Sequence, residues 1–381
     1  MCPAVTSDCA PTLRRRRRWV VAVIALVVAL VLLLAGIAIL GPWHGAPGGS
    51  AAGTAGGESD RGTGESHPSD SSASDHGDAA PSAPTEPEPG VATVPASLTD
   101  TQPLTLPQRV RLATGKIHLE EGRHYLVSFD LSTVKPESAP GVGMYLGVSF
   151  SCSGPGGTGL GSRGGTENLQ PGKPVSIVNH LALAPSRTGT HSCSVLANAP
   201  YDDVAAAGTT IELHAEWTVQ EIRGEAIDAT AGAALPTAVP AGRSAIVLDH
   251  VSPANNLTRT SAYTTLHVTT CTGANGSREQ GRTWCTPEGI APGGSTVTTT
   301  LQIQALAADG SPCGDPTTIR RCDTIDKWIH HDVLALQQAA SPPESACAEQ
   351  IRTTVTVNNT GPAALAVHAS NSSFVITQRT R

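Results

Sequence analysis

Met144-Tyr145-Leu146-Gly147-Val148-Ser149-Phe150-Ser151-Cys152 alternates between two kinds of side chain. Met144, Leu146, Val148, Phe150 and Cys152 fall on one side of an extended chain, and Tyr145, Gly147, Ser149 and Ser151 on the other. Successive side chains of a strand point in opposite directions, so a period of two marks a strand that buries one face. Ile211–Val219 reads the same way, with Ile211, Leu213, Ala215, Trp217 and Val219 set against Glu212, His214, Glu216 and Thr218. Val175–Leu183 and His191–Ala197 alternate too, with Gly/Pro turn signals between them. Such a succession predicts a mainly β fold of the two-sheet sandwich type.

Working outward, the second half echoes the first at an offset of about 120 residues. Gly122-Arg123 recurs as Gly242-Arg243, Cys152 as Cys271, Pro171-Gly172 as Pro292-Gly293 and Cys193 as Cys313. Ile177, Leu181 and Leu183 fall on Val297, Leu301 and Ile303. The expectation is two tandem β-sandwich domains, at 101–222 and 223–381. The second carries an insertion at about 314–349. Around Cys271 the phase slips, because Leu266 and Val268 do not share the cysteine's face, so a bulge is expected there.

Cys152, Cys193, Cys271, Cys285, Cys313, Cys322 and Cys347 all follow residue 100. In an oxidising compartment disulfides are the default for such cysteines. Cys152 and Cys193 stand alone in the first domain and are expected to pair. The echo suggests 271–313 as a second pair, and the partners of Cys285, Cys322 and Cys347 stay open. Zinc fits poorly, since no C-x₂₋₄-C spacing occurs, so neither metal nor cofactor is expected.

Thr188-Gly189-Thr190-His191-Ser192-Cys193 resembles the Gly-x-Tyr-x-Cys approach to the second cysteine of immunoglobulin variable domains, with His191 in the tyrosine position. That resemblance implies an Ig-like sandwich.

The N-terminal quarter has a different character. Trp19 to Leu40 is apolar and uncharged, and Arg14, Arg15, Arg16, Arg17 and Arg18 stand directly before it. Its length in helix is roughly 33 Å, enough to cross a hydrocarbon layer of about 30 Å. A signal peptide would have a shorter apolar run and a small-residue cleavage site, neither of which is found here. Arginines before the span and acidic residues after it place the N-terminus in the cytoplasm and the rest outside. Residues 1–18 are then a cytoplasmic basic tail and 19–40 a transmembrane helix in the lipid bilayer, with Trp19 at the interface. Residues 41–100, rich in Gly, Ser, Pro and acidic side chains, form a disordered linker.

Familiar chemistry is scarce. A net charge of −7 and a pI near 6.0 argue against a nucleic-acid partner. Gly159-x-Gly161-x-x-Gly164 lacks the strand–helix setting of a dinucleotide fingerprint and reads as a flexible loop. Ser132-x-x-Lys135 runs straight into Pro136 and has no partner motifs. Trp328, Ile329, His330 and His331 mix large apolar and polar side chains, which makes them a candidate binding surface within the expected insertion. Adjacent histidines on a strand face opposite ways, so His330 and His331 are not expected to share one ion. The expected role is a non-enzymatic envelope protein presenting tandem β-domains to an extracellular protein or cell-wall partner. The alternatives are an extracellular enzyme of unrecognised type and a subunit of an envelope complex.

Overall fold

The computed structural model describes residues 91–138, 144–157, 159–199, 208–254, 256–271, 291–326, 331–341 and 347–380. The basic block Arg14–Arg18, Trp19, the expected membrane span and the linker up to residue 90 lie outside these. Among the described residues no helix is long and apolar enough to cross a membrane.

The first part of the chain supplies β1 (Val91–Ala92), β2 (Ala96–Thr105), β3 (Arg109–Leu119), β4 (His124–Val134) and β5 (Met144–Ser153). It continues with β6 (Gly159–Leu169), β7 (Pro174–Leu183), β8 (Gly189–Asn198) and β9 (Thr210–Ile222). The second part supplies β10 (Gly224–Asp228), β11 (Thr237–Val239), β12 (Arg243–Pro253), β13 (Leu257–Thr270) and β14 (Ser295–Leu306). It ends with β15 (Thr317–Ile325), β16 (Asp332–Ala340), β17 (Gln350–Asn359), β18 (Leu365–Val367) and β19 (Ser373–Thr380). The fold is mainly β and sandwich-like.

Strand order identifies the sandwich. In the first half one sheet runs β2-β9-β4-β7 and the other β1-β3-β8-β5-β6. Numbering its main strands β2 to β9 as one to eight gives sheets 1-8-3-6 and 2-7-4-5, the double Greek key of an eight-stranded jelly roll. The second half repeats this order as β10-β19-β13, with β16 beside β13, and as β12-β17-β14-β15. Each sandwich has its own core. Phe129, Phe150 and Trp217 lead the first, while Leu301, Val355 and Phe374 lie in the second.

Burial explains which expectations held. In β9 Ile211, Leu213, Ala215, Trp217 and Val219 point inward, as their alternation requires. Trp217 stacks obliquely on Phe150 at 6.1 Å and donates its indole N–H to the Ala113 carbonyl at 2.6 Å. Ala113 sits at a bulge in β3 with φ of 46°. The bulge turns that carbonyl away from the ladder and toward the indole.

The two halves share a topology, but the landmark alignment is corrected. β5, which carries Cys152, corresponds to β14, whereas Cys271 directly follows β13. Equivalent strands drift apart along the chain, from Arg109 against Arg243 to Gly189 against Gln350. No constant offset can therefore superpose them. The expected insertion at 314–349 is also corrected, because it contains β15 and β16, which are framework strands of the second jelly roll. The expected linker ends too late. Val91–Ala92 and Ala96–Thr105 are strands, and Ala96 and Leu98 pack on the first core. The Gly-rich motif is no flexible loop either, since it lies in β6. A Cβ on Gly165 would come within 2.2 Å of the Ile177 side chain, so the strand passes only because it is bare there.

Cys152 bonds to Cys193, as expected, but the two face each other on adjacent strands of one sheet, with Cα atoms 4.1 Å apart. An immunoglobulin disulfide bridges two sheets, so the Ig-like expectation gives way to the jelly roll. The expected 271–313 bond is replaced, because Cys313 bonds to Cys347 with Cα atoms 6.0 Å apart. In a core this poor in aromatics, the 41-residue separation closed by the first bond adds roughly 3–4 kcal/mol of loop-entropy stabilisation.

Candidate metal centre

The two sandwiches meet along β6 and β7, which pack against the outer face of the β10-β19-β13-β16 sheet. In a jelly roll β6 and β7 are edge strands of opposite sheets, and their unpaired backbone groups need partners. The second sandwich provides them. The Val178 carbonyl accepts from the Thr265 hydroxyl at 3.1 Å, and Asn168 exchanges backbone and side-chain bonds with the backbone of His331. Val333 of β16 reaches into the first core, while its N–H donates to Glu167 at 2.8 Å. Leu126, Ile222 and Val375 form a small apolar cluster beside these polar contacts. Arg163 and Asp228 form an ion pair between the two halves.

This packing explains the phase slip in β13. Its even positions Ala262, Leu266 and Val268 enter the second core. The odd positions Tyr263, Thr265, His267 and Thr269 face outward and are covered in their turn. Both faces are buried, so alternation disappears from the sequence, and no bulge is needed at Cys271.

On that outer face three histidines converge. His267 comes from β13. His368 directly follows β18, and its N–H donates to the His267 carbonyl at 2.9 Å. His331 directly precedes β16, whose Asp332 pairs with Val268. Backbone pairing thus brings together residues far apart in the chain. One ligand atom from each ring lies within 4.8 Å of the other two. His267 and His368 are 5% and 7% exposed, and His331 is half-buried.

The hydrogen bonds orient the rings. His267 Nδ1 lies 3.1 Å from the Ser370 carbonyl, which only accepts, so this nitrogen carries the proton. His267 Nε2 then presents its lone pair to His331 Nδ1, 2.9 Å away. Thr269 Oγ1 stands 2.7 Å from His368 Nε2 and 3.4 Å from His331 Nδ1. Converging imidazoles, one of them braced by a carbonyl on its far nitrogen, form a donor set suited to zinc, copper or nickel. A shallow cleft of about 270 Å³ opens beside Ser370, between Arg163, Gly164 and Asn371.

Two titratable groups at the junction are displaced from their ordinary behaviour. Burial pushes the Glu167 carboxyl well above its usual range, and the nearby Asp332 adds to this. Burial pushes His180 down to about 4, where its ring packs on Tyr263 at 4.9 Å and meets Ser128 at 2.9 Å.

Of the candidate binding surface, Trp328, Ile329 and His330 lie outside the described residues. His331 is not an exposed residue of an insertion. It bonds across the junction and joins His267 and His368, which the sequence reading did not single out. The available signal was slight: a polar His267 between the core residues Leu266 and Val268. Ser132 lies on β4 and Lys135, just beyond it, is buried, so neither has the helical setting of a hydrolase motif.

No protein-family model matches the chain, and no curated protein sequence matches it. Among solved structures, the infectious bursal disease virus T13 particle covers 75% of this chain and 69% of its own at 10% identity, with a TM-score of 0.27. PNGase F covers 75% and 96% at 10% identity, with a TM-score of 0.30. The tandem CBM22 pair of Paenibacillus barcinonensis Xyn10C covers 74% and 92% at 8% identity, with a TM-score of 0.21. Likeness at this level says nothing of ligand or activity.

Proposed function

We propose that this chain is a membrane-anchored extracytoplasmic protein that holds two jelly rolls away from the bilayer as one rigid presenting unit. The anchor is the apolar run Trp19 to Leu40 behind Arg14–Arg18, and the spacer is the polar stretch before Val91. The disulfides Cys152–Cys193 and Cys313–Cys347 suit an oxidising compartment outside the cytoplasm. The observation that carries the reading is Val333, a second-sandwich residue buried in the core of the first. Two beads on a string would not share a core residue, whereas a unit built to present a fixed surface would.

Protease added to intact, wall-stripped cells tests the topology. Loss of the disulfide-bearing region with retention of a small membrane-bound N-terminal fragment is the expected result, and full protection of that region overturns it. Spin labels at exposed positions of β2 and β12 test rigidity in the full chain. A single narrow distance distribution is expected, and a broad one removes the rigid unit.

A further inference from the structure

We propose that His267, His331 and His368 bind one divalent transition-metal ion of the zinc–copper class, and that this ion clamps the junction between the sandwiches. Three imidazoles on separate chain segments, two of them nearly buried, supply the donors. Zinc-bound nitrogens lie about 2.0–2.1 Å from the metal, hence about 3.3 Å from one another in a tetrahedral site. His267 Nε2 and His331 Nδ1 already stand 2.9 Å apart and the three ligand atoms lie within 4.8 Å of one another, so ring movements of up to about 1.5 Å bring them to that spacing. The site has one outer partner of the kind metal-ligating histidines use, the Ser370 carbonyl on His267 Nδ1, and the Thr269 hydroxyl stands beside the donors, 2.7 Å from His368 Nε2.

His331 coordinates through Nδ1 once that nitrogen carries no proton, the proton passing to Nε2 of the same ring or to solvent water. Three protein donors leave a fourth position for water or another small ligand. The coupling to the junction runs through His331. Its backbone N–H and carbonyl both engage Asn168 of the first sandwich, so fixing its ring fixes that contact.

The test uses the full oxidised chain in detergent, purified through a tag without histidine and stripped of metal. Zn²⁺, Cu²⁺ and Co²⁺ are titrated separately, and cobalt is followed by its visible d–d bands. One ion per chain, tetrahedral cobalt bands and a raised melting temperature are expected. His331→Asn and His368→Gln each weaken binding more than the 10–100-fold typical of an outer partner, and Thr269→Val weakens it by about 10-fold. Circular dichroism of each variant without metal shows that it has folded. If His368→Gln does not fold, His331→Asn decides the matter, because its half-buried ring lies at the edge of the packed face. Wild-type protein that takes up no ion overturns the proposal. So does uptake unchanged in a folded His331→Asn variant, which would place the ion elsewhere. Binding at the site without a change in melting temperature removes the clamp.

Discussion

The side-chain amide of Asn179 in β7 donates to the backbone carbonyl of Asn371 at 3.1 Å, tying the first sandwich to the turn before β19. The same amide donates to the Gly164 carbonyl at 2.6 Å, while Asn179 Oδ1 accepts from the Ser373 hydroxyl and from the His180 N–H. This fully buried side chain therefore uses all its hydrogen-bonding capacity. Asn179→Ala strands several buried groups at about 1–3 kcal/mol each, so a loss of about 3 kcal/mol or more is expected. Urea unfolding measures the loss, and hydrogen exchange should show β7 and β19 opening together. Unchanged stability would mean that the bonds are dispensable.

His180 makes the protein sensitive to acid. Its folded pKa of about 4 lies below the ordinary 6.5, so the unfolded chain binds the proton first. Stability is full above about 6.5 and falls as the pH drops toward 4, by about 3 kcal/mol at most. His180→Gln should flatten that stretch of the curve of melting temperature against pH. A variant whose slope matches the wild type would assign the acid sensitivity to other groups.

Glu167 acts in the opposite direction. Its raised folded pKa means that the folded protein keeps the proton longer than the unfolded chain does. This contribution is present below about 4.5 and is lost as the pH rises through the folded value. Glu167→Gln keeps an acceptor for the Val333 N–H and cannot ionise, so it should be more stable than wild type toward the alkaline side. Parallel melting curves from pH 4 to 9 for the two proteins check this; a gap that stays constant with pH contradicts it.

The in-sheet disulfide should matter for stability more than for architecture. Cys152→Ser with Cys193→Ser is expected to cost about 3–4 kcal/mol while leaving the β circular dichroism spectrum intact. Loss of the sheet signal at low temperature would show that the bond is needed to form the fold.

The parts legible in the sequence are those where one face meets core and the other meets water. β5 and β9 are of this kind, and their alternation gave the strands, while the Cys152–Cys193 pairing was legible because these two cysteines stand alone in the first sandwich. β13 and β19 are covered on both faces, so neither period nor polarity marked their role. β15 and β16 read as an insertion because the constant offset laid Cys313 on Cys193 and left residues 314–349 without a counterpart in the first half. The ligand set of the candidate metal centre has no local spacing at all. His267, His331 and His368 meet only because β18 and β16 both lie beside β13 near its C-terminal end.

The strand order also governs how the chain reaches this state. Ala96 pairs with Val219, Gly224 with Arg379 and Arg243 with Asn359, so three of the four sheets wait for segments more than a hundred residues away. Closing loops of that length comes before any reward from pairing, which puts such topologies at the slow, millisecond-to-second end of folding. Until β9 docks, β2 and β4 have no partner between them, and they expose apolar edges to other copies. A chain tethered singly, away from its neighbours, meets fewer such edges while it folds than one released into a crowded solution.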